Sequence, residues 1–438
     1  MSKLKLTKTE LKAQSDALKQ YRRFLPTLQL KKQQLQVELR KSRALVEANR
    51  SEYAALRAKL DAFVGLYADA GAAEFIKNNL SVVQVIKSTA NIAGVTVPVF
   101  DRVEDMLDQV DLLDICSPPC IHEENIILAA KAGKHIICEK PLTGCFGPAD
   151  AENFYGNKAD KLPMLREIIA RLGRIRQAVE DAGVSFGYAE NFVYAPGIQK
   201  EREILEKTKC QILRMTGEES HNGSASPVYG IWSKAGGGSL IGKGCHPLGG
   251  ILYLKRVEGL ARNGKPIRPA TVSARVHEIT RLPEYQDLGL IRTDYRDIED
   301  YGFMHVTFED GTVADVLTSE IVLGGIYDYV EVFANNHRSR ARLSPAGLLD
   351  LYNPRGEAFK DIYLMEKVST QEGWSFAAPD EGFTMGYQGE LQDFITAAAA
   401  GVQPQSELEL ALDTTLTIYA AYCSAQNKGI ETEISYKA

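Results

Sequence analysis

The first 60 residues contain neither glycine nor cysteine, although the chain of 438 residues holds 36 glycines and seven cysteines. A stretch without glycine lacks the usual turn residue, which excludes a loop-rich fold there and leaves room for one long helix. Seven cysteines are an odd count, too sparse for a disulfide scaffold, and most sit within apolar runs, so reduced thiols in a reducing compartment are expected. No apolar run reaches the roughly 18 to 20 residues of a bilayer span, and the Lys-rich start has no apolar signal region. The expectation is a cytoplasmic protein with no membrane insertion. With 45% hydrophobic and 25% charged residues, disordered and collagen-like classes are excluded. At roughly 100 to 200 residues per domain, two or three domains are expected.

What is present divides unevenly. Residues 1–60 carry 15 Lys and Arg against five Asp and Glu, so the whole-chain net charge of −6 leaves −16 for residues 61–438. In the basic part, apolar residues recur by steps of three and four: Leu18, Tyr21, Leu25, Leu28, Leu35, Leu39, Val46, Tyr53, Leu56, Leu60, Phe63 and Tyr67. Only Lys32, Ser42 and Asn49 interrupt the seam, which predicts a long coiled-coil helix over residues 1–67 that needs a partner. Pro26 removes one backbone donor and predicts an early kink. A nucleic-acid role is set aside, because stacking aromatics and a binding motif are missing.

These residues resemble a known family. The segment LKLTKTELKAQSDALKQYRRFLPTLQLKKQQLQ is similar to the N-terminal helix of the V-type ATPase D subunit, and VVQVIKSTANIAGVTVPVF (residues 82–100) to the segment that follows it. The resemblance covers residues 1–104, with 68–104 as a short β-containing segment. It implies stalk subunits of a V-type ATPase as partners. It also implies a second long helix near the C-terminus, which nothing after residue 104 supplies.

Beyond Asp105 the texture changes. Leu112–Cys116 is a short apolar run ending in Ser117-Pro118-Pro119, His122–Ala132 has helical spacing, and His135–Cys138 is an apolar run ending in Glu139-Lys140-Pro141. Strand, helix, strand with short turns predicts a parallel βαβ unit, followed by a helix over Leu162–Ala182 and a strand over Val184–Ala189. Ligands bind beyond the carboxyl ends of such strands, where Ser117, Pro118, Glu139, Lys140 and Asn191 fall. Phe303–Phe308, Thr312–Leu317 and Tyr327–Ala334 read as further strands.

This part resembles the Gfo/Idh/MocA oxidoreductases, in DICSPPCIHEENIILAAKAGKHIICEKPLTG with its Glu-Lys-Pro signature and in GGGSLIGKGCHPLGGILYL. The resemblance implies a partial Rossmann-like domain over 105–192 and a mainly antiparallel open sheet with helices over 193–438. The fold class expected for the whole chain is therefore mixed α/β and α+β. It implies NAD or NADP as cofactor, a sugar or polyol substrate, and a homo-oligomer. Lys140 and His246 are the catalytic candidates it implies. Ser117, Pro118, His122, Glu139 and Asn191 are the cofactor-side candidates, and Tyr194, Trp232 and Lys243 the substrate-side ones, with His221 as a further pocket residue.

The residue types suit that chemistry. Oxidising a secondary alcohol requires a base for the hydroxyl proton, and a histidine with an ordinary pKa near 6.5 serves at neutral pH. An ammonium at Lys140 would stabilise charge on the substrate oxygen by about 2–4 kcal/mol, by analogy with other oxyanion donors. Two departures from the family pattern stand out. Gly242 occupies the position four before the histidine where an acid is common, so either the base works without an orienting carboxylate or the pocket is cationic and suits acidic sugars or phosphates; the second is slightly preferred. No Gly-x-Gly-x-x-Gly precedes Glu139, so the loop that cradles a pyrophosphate is missing. Cys116, Cys120, Cys138 and Cys145 depart from zinc spacing, and no metal is expected. The competing reading is a stalk or assembly protein whose useful part is the coiled coil.

Overall fold

The computed structural model describes residues 110–148, 154–226, 228–344, 349–359, 362–364, 367–368, 370–377 and 380–436, with Lys12, Ser15, 89–92, 95–98 and Leu107. The chain divides into two compact units, Met1–Met106 and Leu107–Ala438. In the first, Lys12 and Ser15 are helical and exposed, and β1 (Thr89–Ile92) pairs antiparallel with β2 (Val95–Pro98). The rest of the coiled-coil expectation lies outside the described residues.

The second unit opens with β3 (Leu112–Ile115), α1 (His122–Lys131), β4 (His135–Glu139), α2 (Lys161–Ala182) and β5 (Phe186–Ala189). The strands form a parallel sheet in the order β3-β4-β5. Helix α2 begins where the Asp160 carboxylate accepts the Leu162 N–H at 3.2 Å and ends at Gly183, whose φ of 62° suits a glycine cap. Its buried face, Met164, Ile168, Leu172, Ile175 and Val179, steps by four, four, three and four, the spacing of one helical side. Truncating one of these, as in Ile168→Ala, costs about 2–5 kcal/mol.

The chain continues through α3 (Pro196–Thr208), β6 (Ile212–Ser220), α4 (Cys245–Asn263), β7 (Pro269–His277), β8 (Tyr301–Phe308), β9 (Val313–Ser319), β10 (Tyr327–Ala334) and β11 (Arg338–Ser344). After β12 (Asp350–Asn353) and β13 (Gly373–Phe376), a hairpin of their own, come α5 (Tyr387–Ala400), α6 (Leu408–Gln426) and β14 (Thr432–Glu433). Seven strands make one open sheet in the order β11-β10-β6-β9-β8-β7-β14, antiparallel except for β6 beside β9. Along β8 the residues Gly302, Met304, Val306 and Phe308 are buried and their neighbours half-buried, the period-two pattern of a sheet covered on one side. Helices α4 and α6 lie against that side. Helix α6 is buried on every face from Leu410 to Ser424 because β7, α2, α4 and β5 surround it.

Candidate active site

Helix α4 carries His246 as its second residue, while Lys140 follows β4 at a cis peptide to Pro141. His246 Nδ1 lies 2.7 Å from Glu190 Oε1, and the Phe192 ring stacks on the imidazole at 5.2 Å between centroids and 18° between planes. Its Nε2 faces Glu219 Oε2 at 3.8 Å. A Cβ on Gly249, three residues along α4, would stand 2.8 Å from Glu190 Cγ, so glycine there lets the glutamate lie against the helix and reach the ring. The glycine run before α4 has a packing reason as well: Gly236 has φ +81°, and a Cβ on it would stand 2.9 Å from the Gly144 Cα. Lys140 Nζ donates to the Gly242 carbonyl at 3.2 Å and lies 5.8 Å from the centre of the Tyr229 ring.

Burial pushes the His246 pKa well below its ordinary value, and the Lys140 and Lys243 cations add to that. The imidazole is therefore neutral near pH 7. Burial pushes Glu190 upward, against the pull of Lys140. Lys140 itself is held above the ordinary lysine range: burial opposes its charge, but Tyr229, Cys245, Glu219 and Glu139 outweigh the burial, so the ammonium is retained.

The acid absent from position 242 is supplied by Glu190, 56 residues before the histidine in sequence. A carboxyl group thus contacts the imidazole although position 242 holds glycine. Sequence reasoning missed Glu190, Glu219 and Tyr229. A signal for Glu190 was present, since it follows β5 directly and precedes Asn191.

The remaining candidates are distributed as follows. Ser117 and Pro118 lie past the carboxyl end of β3. His122 is buried between two turns, its Nε2 2.7 Å from the Ser117 carbonyl and its Nδ1 3.0 Å from the Pro141 carbonyl, so it ties the turn after β3 to the turn after β4. Glu139 Oε2 accepts the Lys140 N–H at 3.2 Å, and burial raises its pKa. Asn191 Nδ2 donates to the Met385 carbonyl at 2.8 Å. Tyr194 donates its hydroxyl to Asp393 at 2.8 Å and accepts the Ser406 N–H at 3.0 Å, while the Trp232 indole N–H donates to the Cys145 carbonyl at 3.0 Å. Lys243 is buried and paired with Glu320 at 2.9 Å, donating also to Ser224 Oγ at 3.2 Å. Its charge is thus matched by an acid. Burial, with Lys243, Lys367 and Lys140 nearby, drives His221 down to about 2.

All seven cysteines are free thiols. Among the described residues one set of three metal-type donors comes within 4.8 Å: Glu190, Cys245 and His246. The glutamate and histidine of that set already bond to each other beside the Lys140 cation, an arrangement suited to holding a proton. For a dinucleotide the fit is one-sided. The strand ends offer Ser117, Glu139 and Lys140, and the buried Glu390 Oε2 has no hydrogen-bond partner among the described residues, an orphaned group that a ligand hydroxyl would satisfy. The described residues provide no glycine turn at a helix N-terminus beside β3 for a pyrophosphate.

The fold and the site together form a partial parallel sheet whose strand ends meet a histidine-bearing helix laid on an open sheet. Known proteins similar to this chain fall into two groups, and the first match runs past the end of the first unit. Residues 10–123 match the family of the ATP synthase D subunit. The V-type ATP synthase D subunit of Borreliella burgdorferi is 41% identical over 104 residues, 24% of this chain and 50% of that protein. The chain thus spans about half the length of the D-subunit relatives it matches. Levoglucosan dehydrogenase of Pseudarthrobacter phenanthrenivorans is 25% identical over 315 residues, covering 67% of this chain and 72% of that protein. The crystal structure of GenD2 from gentamicin A biosynthesis in complex with NAD superposes with a TM-score of 0.59 at 20% identity, covering 77% of this chain and 82% of that one. The chain therefore resembles two unlike proteins, and it shares the fold of the GenD2 structure. No described helix is long and apolar enough to cross a membrane.

Proposed function

We propose that residues 107–438 are a nicotinamide-dependent dehydrogenase body acting on a secondary alcohol of a sugar, anhydrosugar or polyol. The observation that carries this reading is the neutral His246 imidazole, held by Glu190 on one nitrogen and open toward Glu219 on the other, beside the Lys140 ammonium. His246 Nε2 takes the hydroxyl proton of the alcohol. Glu190 holds the ring by its Nδ1, and Lys140 stabilises the oxygen while it carries negative charge. A bound nicotinamide supplies the hydride acceptor. Ser117, Pro118, Glu139 and Asn191 would face it at the strand ends, with His122 holding two of those turns together. The NAD in GenD2 and the levoglucosan relative favour NAD and a sugar-like substrate.

Without a pyrophosphate cradle the affinity for NADH is expected to be weak, about millimolar, against the micromolar range common for enzymes and their ligands. A fluorescence titration of the full chain with NADH tests this, followed by NADH formation from NAD with levoglucosan and polyols. Micromolar binding would overturn the missing cradle. No turnover of any secondary alcohol at saturating NAD would overturn the dehydrogenase reading.

The first 106 residues carry a second reading. Their 41% identity to the D subunit of a V-type ATP synthase favours a stalk-like helical segment that binds a coiled-coil partner, such as another protein of the stalk.

A further inference from the structure

One guanidinium sets the shape of the loop that carries Tyr229. Arg292 Nη1 donates to the Ser224 carbonyl at 2.7 Å and to the Ser226 and Tyr229 carbonyls at 2.9 Å each. Carbonyl oxygens carry like partial charges, so three of them converge on one point only where a donor stands between them. The backbone of the same residue takes part, its N–H donating to the Asn222 carbonyl at 3.0 Å. Gly223 lies against the arginine stem, with φ at +116° and a Cβ that would stand 2.4 Å from Arg292 Cβ. Only 17% of the Arg292 side chain is exposed.

The loop so held reaches both lysines of the candidate site. Near its start Glu320 accepts the Ser224 N–H at 3.0 Å through Oε2 and pairs with Lys243 at 2.9 Å through Oε1. At its end the Tyr229 ring stands 5.8 Å from Lys140 Nζ, within cation–π range. The ammonium therefore has the Gly242 carbonyl as one neighbour and this ring as another. The carbonyl ends a short helix, Ser239–Gly242, which Glu299 pins by accepting the Ser239 and Leu240 N–H groups at 3.0 and 2.9 Å. Tyr229 lies in a turn, with no helix or strand of its own to aim the ring.

We propose that Arg292 is a positioning residue of the active site, which places the Lys140 ammonium through Tyr229 by holding the loop that bears Ser224, Ser226 and that tyrosine. A lysine cannot stand in for it. An ammonium is a point charge on a flexible stem, whereas the guanidinium offers donors in fixed directions. The catalytic consequence rests on the dehydrogenase reading, whereas the grip on the loop does not.

Two measurements on the full chain test this. The peptide that holds Ser224, Ser226 and Tyr229 should exchange its amide hydrogens about 10-fold faster or more in Arg292→Ala, Arg292→Lys and Gly223→Ala, with exchange in α2 unchanged. Gly223→Ala leaves the guanidinium in the chain, so it keeps the test open should Arg292→Ala fail to fold. In NADH formation from NAD and levoglucosan, Arg292→Ala should lower kcat by about 10- to 100-fold with little change in KM. Millimolar guanidinium ion should restore part of that loss, and methylammonium should not. Tyr229→Leu should lower kcat alike, and adding Arg292→Ala to it should cost little more, because the arginine acts through the ring. Unchanged exchange in all the variants would overturn the grip. Faster exchange with a wild-type kcat, or losses that multiply in the double variant, would overturn the positioning role. If the wild type oxidises no secondary alcohol, the exchange alone decides the grip, and the dehydrogenase reading is what falls.

Discussion

His246 works as a base only if its ring is neutral and aimed, and both conditions come from neighbours distant in sequence. Its pKa is depressed by burial, Lys140 and Lys243, so kcat/KM should stay level from about pH 8 down through 6.5. A midpoint at 6.5 or above in the pH profile would contradict the neutral ring. His246→Ala and Lys140→Ala should each lower kcat by roughly 100-fold or more while circular dichroism stays unchanged. The glycine at 249 gives a sharper test of aim. Gly249→Ala sets a methyl against Glu190 Cγ, and an acid shifted by about 1 Å should cost about 100-fold in kcat with little change in KM. An unaltered kcat in Gly249→Ala would separate Glu190 from catalysis.

At the scale of elements, α5 stores a pH dependence. Burial first, then Glu139 and Asp114, push the Glu390 carboxyl on this helix up to about 9. A folded-state value above the unfolded one means that the folded state holds the proton more tightly. The associated stability is complete below about pH 4.5 and is lost as the pH rises toward 9. Glu390→Gln keeps the shape without the titration, so its Tm should fall less than that of the wild type across this window. Parallel melting curves that never converge or cross would show that Glu390 is not the group responsible. The spans of α1 and α2 agreed with the sequence pattern to within a residue or so because each has one buried side and hence a readable period, and those of β3 and β4 because each is a short apolar run ended by a turn. Helix α6 has no such side. Burial all round erases the period that would have revealed it.

For the whole molecule, the two units raise separate questions. A seam of large apolar residues over 10–67 would leave about 1.5–3 kcal/mol unrealised for each one kept in water. The full chain should therefore form a larger assembly in light scattering than a chain starting at Asp105, or bind a stalk partner that the shorter chain does not. Equal assembly at equal concentration, with no stalk partner bound, would remove the coiled-coil reading. An independent read of the DNA across residues 95–110 tests whether both parts are encoded in one frame.

The sequence by itself determined the change of texture near residue 105, the strand-helix-strand succession after it, and the pairing of a Glu-Lys-Pro turn with a glycine-led histidine helix. These are local, carried by periodicity and short spacing. Tertiary structure alone decided that Glu190 is the acid on His246, that Lys243 is matched by Glu320, and that Trp232 and Tyr194 have their polar atoms committed to protein partners. Each of these depends on which side of one element meets which side of another across tens to hundreds of residues, and no local pattern encodes that choice.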